Sequence, residues 1–199
     1  MMGKENRILK LLLCFSFCTL LSGCWDRVEP KNIALVSSSL LDIRDNGNYH
    51  ITVEIVKPTA QGSAKDGPGE KKSNIIYSSV SELQSITESA QSITQSVDKS
   101  LFSNHAQVRF LSDKVARTDI APVFDYLLRS FHLDEKPLIV VVRDKKPQTI
   151  YACEIGLSST VGDYIESMSR SQPAVTSKSV FVNARQFVKD YYREGKQPV

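Results

Sequence analysis

IALVSSSLLDIRDNGNYHITVEIVK, residues 33–57, holds two runs of strand-forming residues separated by Asp45-Asn46-Gly47. The first run, 33–44, is rich in Ile, Leu and Val. The second, 48–57, alternates: Tyr49, Ile51, Val53 and Ile55 share one side, His50, Thr52 and Glu54 the other. Side chains of a strand point alternately to opposite faces. Asn-Gly between two such runs is a strong hairpin signal, because a type I′ turn needs positive φ at both central residues. The pattern predicts an antiparallel hairpin with one solvated face.

Downstream, 58–74 (PTAQGSAKDGPGEKKSN) has Gly, Pro, Ser and charge but no apolar period, and predicts a mobile surface loop. Ile75-Ile76-Tyr77 reads as a short strand. In 81–98, Leu83, Ile86, Ala90, Ile93 and Val97 recur every three or four residues, one apolar stripe of a helix that Ser79 or Ser81 could cap. Val108 to Leu111 predicts a strand, and Thr118-Asp119 the cap of a helix carrying Ile120, Val123, Phe124, Leu127 and Leu128. The continuous run Leu138 to Val142, LIVVV, suits a central strand covered on both faces. Pro147 can open a short helix through Ala152. Residues 161–170 and 180–194 read as two further helices, separated by Ser and Pro at 171–179; the second uses Phe181, Ala184, Val188 and Tyr191. The fold class expected is α+β: a mixed β-sheet with an N-terminal antiparallel hairpin, packed by several amphipathic helices.

Upstream of the hairpin the chain changes character. Lys4, Arg7 and Lys10 against Glu5 make the first ten residues basic. Residues 11–21, LLLCFSFCTLL, are apolar and uncharged. A spanning helix needs roughly 20 apolar residues, so this run is short; a basic start followed by such a run is the pattern of an export signal. It ends in Leu21-Ser22-Gly23-Cys24, which resembles a bacterial lipobox. In that chemistry the Cys24 sulfur takes a diacylglyceryl group as a thioether, and cleavage leaves Cys24 as the first mature residue. Two or three acyl chains anchor stably, each buried CH₂ contributing about 0.8 kcal/mol. A leader over 1–23 and a mature domain over 24–199 are therefore expected.

The 199 residues carry a formal net charge of +3, and removal of the basic leader leaves a nearly neutral body. That gives no electrostatic reason to expect nucleic acid as a partner. With 41% hydrophobic and 24% charged residues, the chain can build a core and is not disordered. Cys14 and Cys18 lie in the apolar run and Cys153 stands alone, so this is not a disulfide-stapled module.

No catalytic constellation emerges. His50, His105 and His132 are far apart, none at zinc-ligand spacing, and each reads as a surface or loop histidine. Asp42-Ile-Arg-Asp-Asn-Gly fails as a calcium loop: Arg44 occupies a ligand position and Val53 stands where a bidentate Glu is needed. No nucleophile elbow, phosphate loop or dinucleotide fingerprint is present. Cys153, beside Ala152 and Ile155, reads as a buried inert thiol. Neither cofactor nor metal is expected, and no ligand-binding residue is nominated.

Several stretches resemble the Ger(x)C family of spore germination lipoproteins, the C subunits of nutrient germinant receptors. They are Cys24-Trp25-Asp26-Arg27 after the lipobox, Val28-Glu29, the strand 33–43, and Lys57-Pro58. Asn104-His105-Ala106-Gln107-Val108, Leu127-Leu128-Arg129 before LIVVVRD, and the tail FVKDYYREGK (187–196) match as well. The resemblance covers most of residues 20–199 and implies a non-enzymatic lipoprotein on the outer face of the cytoplasmic membrane, the inner membrane of a spore. As partners it implies the lipid membrane, through acylated Cys24, and two integral membrane receptor subunits. Family members continue past Val199, so the resemblance implies the N-terminal portion only, a truncated form or fragment, with 155–199 a helical end leading to a missing carboxy-terminal domain. Two other classes stay open: a solute-binding lipoprotein serving a transporter, which needs a preformed cleft, and a surface-anchored hydrolase, for which no Ser–His pair is nominated.

Overall fold

The computed structural model describes residues 32–56, 75–80, 85–118, 120–130, 136–175 and 181–193, with positions 10 and 13 standing alone. The expected loop 58–74 and the lipobox lie outside the described residues. All elements below belong to the compact unit Ile33–Val199.

Strands β1 (Ile33–Ile43) and β2 (Tyr49–Ile55) form the expected antiparallel hairpin, with Ile43 opposite Tyr49 and Leu41 opposite Ile51. The turn differs in detail. The Arg44 N–H donates to the Asn48 carbonyl oxygen and the Gly47 N–H to that of Arg44, both at 2.9 Å, and Gly47 has φ +83°. This is a three-residue loop closed by a left-handed glycine, the alternative to a two-residue I′ turn. Strand β3 (Ile75–Val80) runs longer than the three residues expected and pairs antiparallel with β2.

Helix α1 (Ile86–Ser96) follows, capped by Ser85, whose Oγ accepts the Glu88 N–H at 3.4 Å. The cap is thus neither Ser79 nor Ser81. Its stripe packs Ile86, Ala90, Ile93 and Val97 onto the sheet, and the buried Ser89 Oγ donates to the Tyr49 carbonyl oxygen. A short strand β4 (Ser100–Phe102), absent from the sequence expectation, runs parallel to the start of β1. Strand β5 (Val108–Ser112) then pairs parallel with the middle of β1.

Ser112 caps a five-residue helix, α2 (Asp113–Arg117). Thr118, expected to open the next helix, closes this one instead: its N–H and hydroxyl both donate to the Val115 carbonyl oxygen. Helix α3 spans Ala121–Ser130, and β6 (Leu138–Val142) lies parallel to β5. The strand order is β3-β2-β1-β5-β6, with β4 beside β1. β6 is therefore an edge strand, contrary to the expectation of a central one, and Val141 is 40% exposed. Residues 182–184 cover half of its outer edge: the Ile139 N–H donates to the Val182 carbonyl oxygen and the Ala184 N–H to that of Pro137. The apolar run packs mainly one face: Leu138, Val140 and Val142 lie against the Leu40–Val108–Phe110 cluster, and on the other face Ile139 packs while Val141 is open.

A 3-10 turn (Pro147–Ala152) leads to α4 (Val161–Val175), which continues across Pro173 where a break was expected, and α5 (Ala184–Tyr191) follows. One sheet face carries Val36, Leu41, Ile51 and Val53 against α1, α3 and α5, with Phe124 stacked on Phe187 at 5.0 Å. The other packs Leu40, Val108 and Phe110 against Val161 of α4 and Ile150 of the 3-10 turn. The architecture is a mixed sheet with an N-terminal antiparallel hairpin and several packed helices, consistent with the expected α+β class. The solvated face expected for the hairpin does not exist: Thr52 and Glu54 are each 1% exposed and His50 9%.

Candidate functional site

The polar side of β2 is buried because α4 begins directly over it. A register irregularity between Val36 and Ser38 lets adjacent serines serve this face. Ser38 lies opposite Glu54, and its Oγ donates to Glu54 Oε2 at 2.8 Å. Glu54 Oε1 accepts the Val161 N–H at 2.8 Å, and Oε2 the Gly162 N–H at 3.2 Å. These are N–H groups of the first turn of α4, which have no partner within the helix. A carboxylate there also meets the positive end of the helix dipole.

A second set of bonds locks the same helix start. Thr160 Oγ1 accepts the Asp163 N–H at 2.9 Å, the usual N-cap bond, and lies 2.6 Å from Ser37 Oγ. Ser37 Oγ donates to Gln107 Oε1 at 2.9 Å, and Gln107 Nε2 donates to Asp163 Oδ1 at 2.5 Å. One polarity satisfies the chain: Thr160 donates to Ser37, Ser37 to Gln107, Gln107 to Asp163. Gly162 is needed at the closest approach, because a Cβ there would lie 2.3 Å from Ser37 Oγ and 2.8 Å from the Ser37 carbonyl oxygen. These bonds tie β1, β2 and β5 to the start of α4.

His50, expected at the surface, is buried on β2. Gln148 Nε2 reaches His50 Nδ1 at 3.0 Å and Asp42 Oδ2 at 3.3 Å. An amide donor at Nδ1 makes that nitrogen the acceptor, so neutral His50 carries its proton on Nε2. Burial pulls the His50 pKa below its ordinary value, and the Arg44 charge acts in the same direction. His105 is exposed in a turn, its ring 5.3 Å from that of Phe102, and His132 lies outside the described residues. The Asp42–Gly47 loop holds an ion pair, Lys114 Nζ to Asp45 Oδ1 at 2.5 Å, which keeps the Asp45 carboxyl below its usual range. Cys153 is exposed, not buried: it ends the 3-10 turn, where Ile150 and Tyr151 turn inward and Cys153 turns out. Among the described residues no cluster of His, Cys, Asp or Glu could hold a metal ion, and no helix is long and apolar enough to cross a membrane.

The opposite sheet face also carries a concave feature. A groove of about 270 Å³ runs between α1 and α3 over the middle of the sheet. Val36 and Leu41 of β1, Val53 of β2 and Leu111 of β5 form its floor; Ile86, Ala90 and Ile93 of α1 form one wall, and Val123 and Tyr126 of α3 the other. Thr87, Gln91 and Thr94 mark its solvent side. One charged side chain lies in this apolar lining: Arg109 of β5, 4% exposed. Its Nη1 donates to Ser39 Oγ at 2.8 Å and its Nη2 to the Ser103 carbonyl oxygen at 3.0 Å. Burial lowers its pKa to about 10, which leaves it charged at neutral pH. Sequence reasoning nominated none of these residues; the signal was an arginine between Val108 and Phe110 in an otherwise apolar strand.

Leu21, Ser22, Gly23 and Cys24 lie outside the described residues. Comparison with known proteins agrees with the resemblance in the sequence. The family described as spore germination protein N-terminal domain matches residues 26–199. The provisionally named spore germination protein YfkR of Bacillus subtilis is 28% identical over 195 residues, 98% of this chain and 49% of that protein. Spore germination protein KC of Bacillus subtilis is 27% identical over 146 residues, 72% of this chain and 35% of that protein. The chain thus spans half or less of the length of these curated relatives. No solved structure matches it. With residues 26–199 matched, the protein belongs to the spore germination protein N-terminal domain family.

Proposed function

We propose that this chain is a membrane-anchored lipoprotein subunit of a spore nutrient germinant receptor, taking part in germination without catalysis. The family membership over 26–199 carries the germination role. The lipobox Leu21-Ser22-Gly23-Cys24, directly before the matched segment, carries the anchoring. In this reading residues 1–23 are a leader and Cys24 is acylated. Residues 24–199 are a domain on the outer face of the cytoplasmic membrane. Trp25 beside the acyl chains suits the membrane interface, where amphipathic rings are enriched. Two integral membrane subunits are the expected partners. A non-catalytic role accords with the Glu54 cluster, whose polar groups are spent on holding α4.

The test replaces Cys24 with Ala in the organism's own spores. The expected result is loss of the chain from the membrane fraction together with loss of nutrient-triggered germination. Retention of both overturns the reading.

A further inference from the structure

At the end of the sheet where β1 begins, apolar side chains face solvent. Ala34 and Val36 pack into the core with Ile86 and Ile93 of α1. Alternation along the strand turns Leu35 to the opposite face, the one on which α4 lies. Phe102 of β4 sits directly beside Leu35 in register, as Leu101 sits beside Ala34. On the same face, Ile76 of β3 lies opposite Glu54. Helix α4 starts over Glu54, and its Val161 and Ile165 pack on Leu40, Val108 and Phe110, which leaves this end of the face open. Leu35 is 43% exposed, Ile76 41% and Phe102 36%. A single exposed apolar side chain is ordinary on a protein surface, but several on one sheet face mark an interaction site.

We infer that this surface rests on the lipid bilayer, with Leu35 and Phe102 dipping into its interface; the inference rests on the anchoring at Cys24 set out above. The length of the tether, and the point at which it joins the sheet, select the membrane as the occupant. Ile33 follows Cys24 by nine positions, and a chain of that length spans at most about 30 Å even when fully extended. It enters the sheet at Ile33, two residues before Leu35, whereas the turn at Gly47 lies at the other end of β1. The end of the domain that carries the apolar side chains is thus the tethered end. A tether this short holds the surface at an effective concentration on the order of millimolar against the bilayer. A few apolar side chains then suffice to seat the domain, although they would not bind it to a membrane from solution. Seating there fixes one orientation: β1 starts at the lipid, and the carboxyl ends of β1, β5 and β6, which run parallel, point away from it.

The test uses the full chain, purified from its own membranes with its amino terminus as processed there and reconstituted in phosphatidylcholine liposomes. Trp25 is the single tryptophan, so Trp25→Phe gives a background in which an introduced tryptophan is the sole reporter. Leu35→Trp places it in the apolar surface; Lys145→Trp places it at an exposed position after β6, at the far end of the sheet. Brominated phosphatidylcholine, which quenches only a ring that enters the bilayer, should quench Leu35→Trp strongly and Lys145→Trp not at all. Phe102→Asp, a change at a partly exposed side chain, should remove the quenching of Leu35→Trp. Flotation of the liposomes separates this inference from the anchor. A chain that floats with the liposomes while Leu35→Trp stays unquenched keeps the anchor and overturns the seating. A chain that does not float loses the anchor and the seating together. Equal quenching at Lys145→Trp, or quenching that survives Phe102→Asp, overturns the assignment of the surface. A blue-shifted Leu35→Trp emission that brominated lipid leaves intact means that protein, such as a second copy, covers the surface, and overturns it too.

Discussion

Glu54 Oε1 on β2 accepts the backbone N–H of Val161, across 107 residues of chain, at 2.8 Å. Through this bond a side chain of the amino-terminal hairpin sets where α4 begins. Removing the carboxylate strands two first-turn N–H groups and the Ser38 hydroxyl in a dry layer. Glu54→Ala should therefore destabilise the domain by about 3 kcal/mol or more, and Glu54→Gln, which keeps one carbonyl acceptor, by about 1–2 kcal/mol. Urea unfolding of the two variants against wild type checks the order. Equal stabilities would show that the clamp does not hold α4.

Gly162 and Gly156 give a contrasting pair. At Gly162 an added methyl meets Ser37 and Gln107, whereas at Gly156, with φ +57°, it meets open space. Gly162→Ala should cost about 1–3 kcal/mol through overpacking. Gly156→Ala should cost about 1 kcal/mol through backbone strain alone. Ser37→Ala removes the nearest clashing atom, so it should partly rescue Gly162→Ala and do nothing for Gly156→Ala. A double-mutant cycle in thermal unfolding separates the two causes.

The buried His50 makes stability fall on acidification. Its folded pKa lies below the ordinary 6.5, so the unfolded chain binds this proton more readily than the native one. Above 6.5 neither state is protonated and the effect vanishes. As pH drops through 6.5 towards the lower folded value, proton uptake by the unfolded state erodes stability. The difference in urea midpoint between pH 7.5 and pH 5.5 should accordingly shrink in His50→Gln. An unchanged difference would remove His50 from the account.

How much of this was legible in the sequence depended on distance along the chain. The hairpin was readable because its evidence is local: the turn at Asn46-Gly47 and two strand runs lie within 25 residues. The fate of its polar side was not, since the donors that bury Glu54 come from Val161 and Gly162, and an alternating pattern looks the same whether water or a helix end meets the polar side chains. LIVVV signals apolar packing but says nothing about the number of strand neighbours, and β6 is an edge strand with Val141 40% exposed. β4, three residues long, is too short to show any period. Apolar neighbours in sequence suggest a buried Cys153, but the 3-10 geometry directs Ile150 inward and Cys153 outward. The groove is assembled from β1, β2, β5, α1 and α3, so only its arginine left a mark in the sequence.

Everything proposed about location rests on Cys24, and the mature amino terminus reports on it directly. Mass spectrometry of the amino-terminal peptide of the chain purified from its own membranes should find Cys24 as the first residue, carrying a diacylglyceryl thioether. A peptide that retains residues 1–23, or that carries Cys24 as a free thiol, would contradict the lipid anchor and with it the placement of this domain as a tethered receptor subunit.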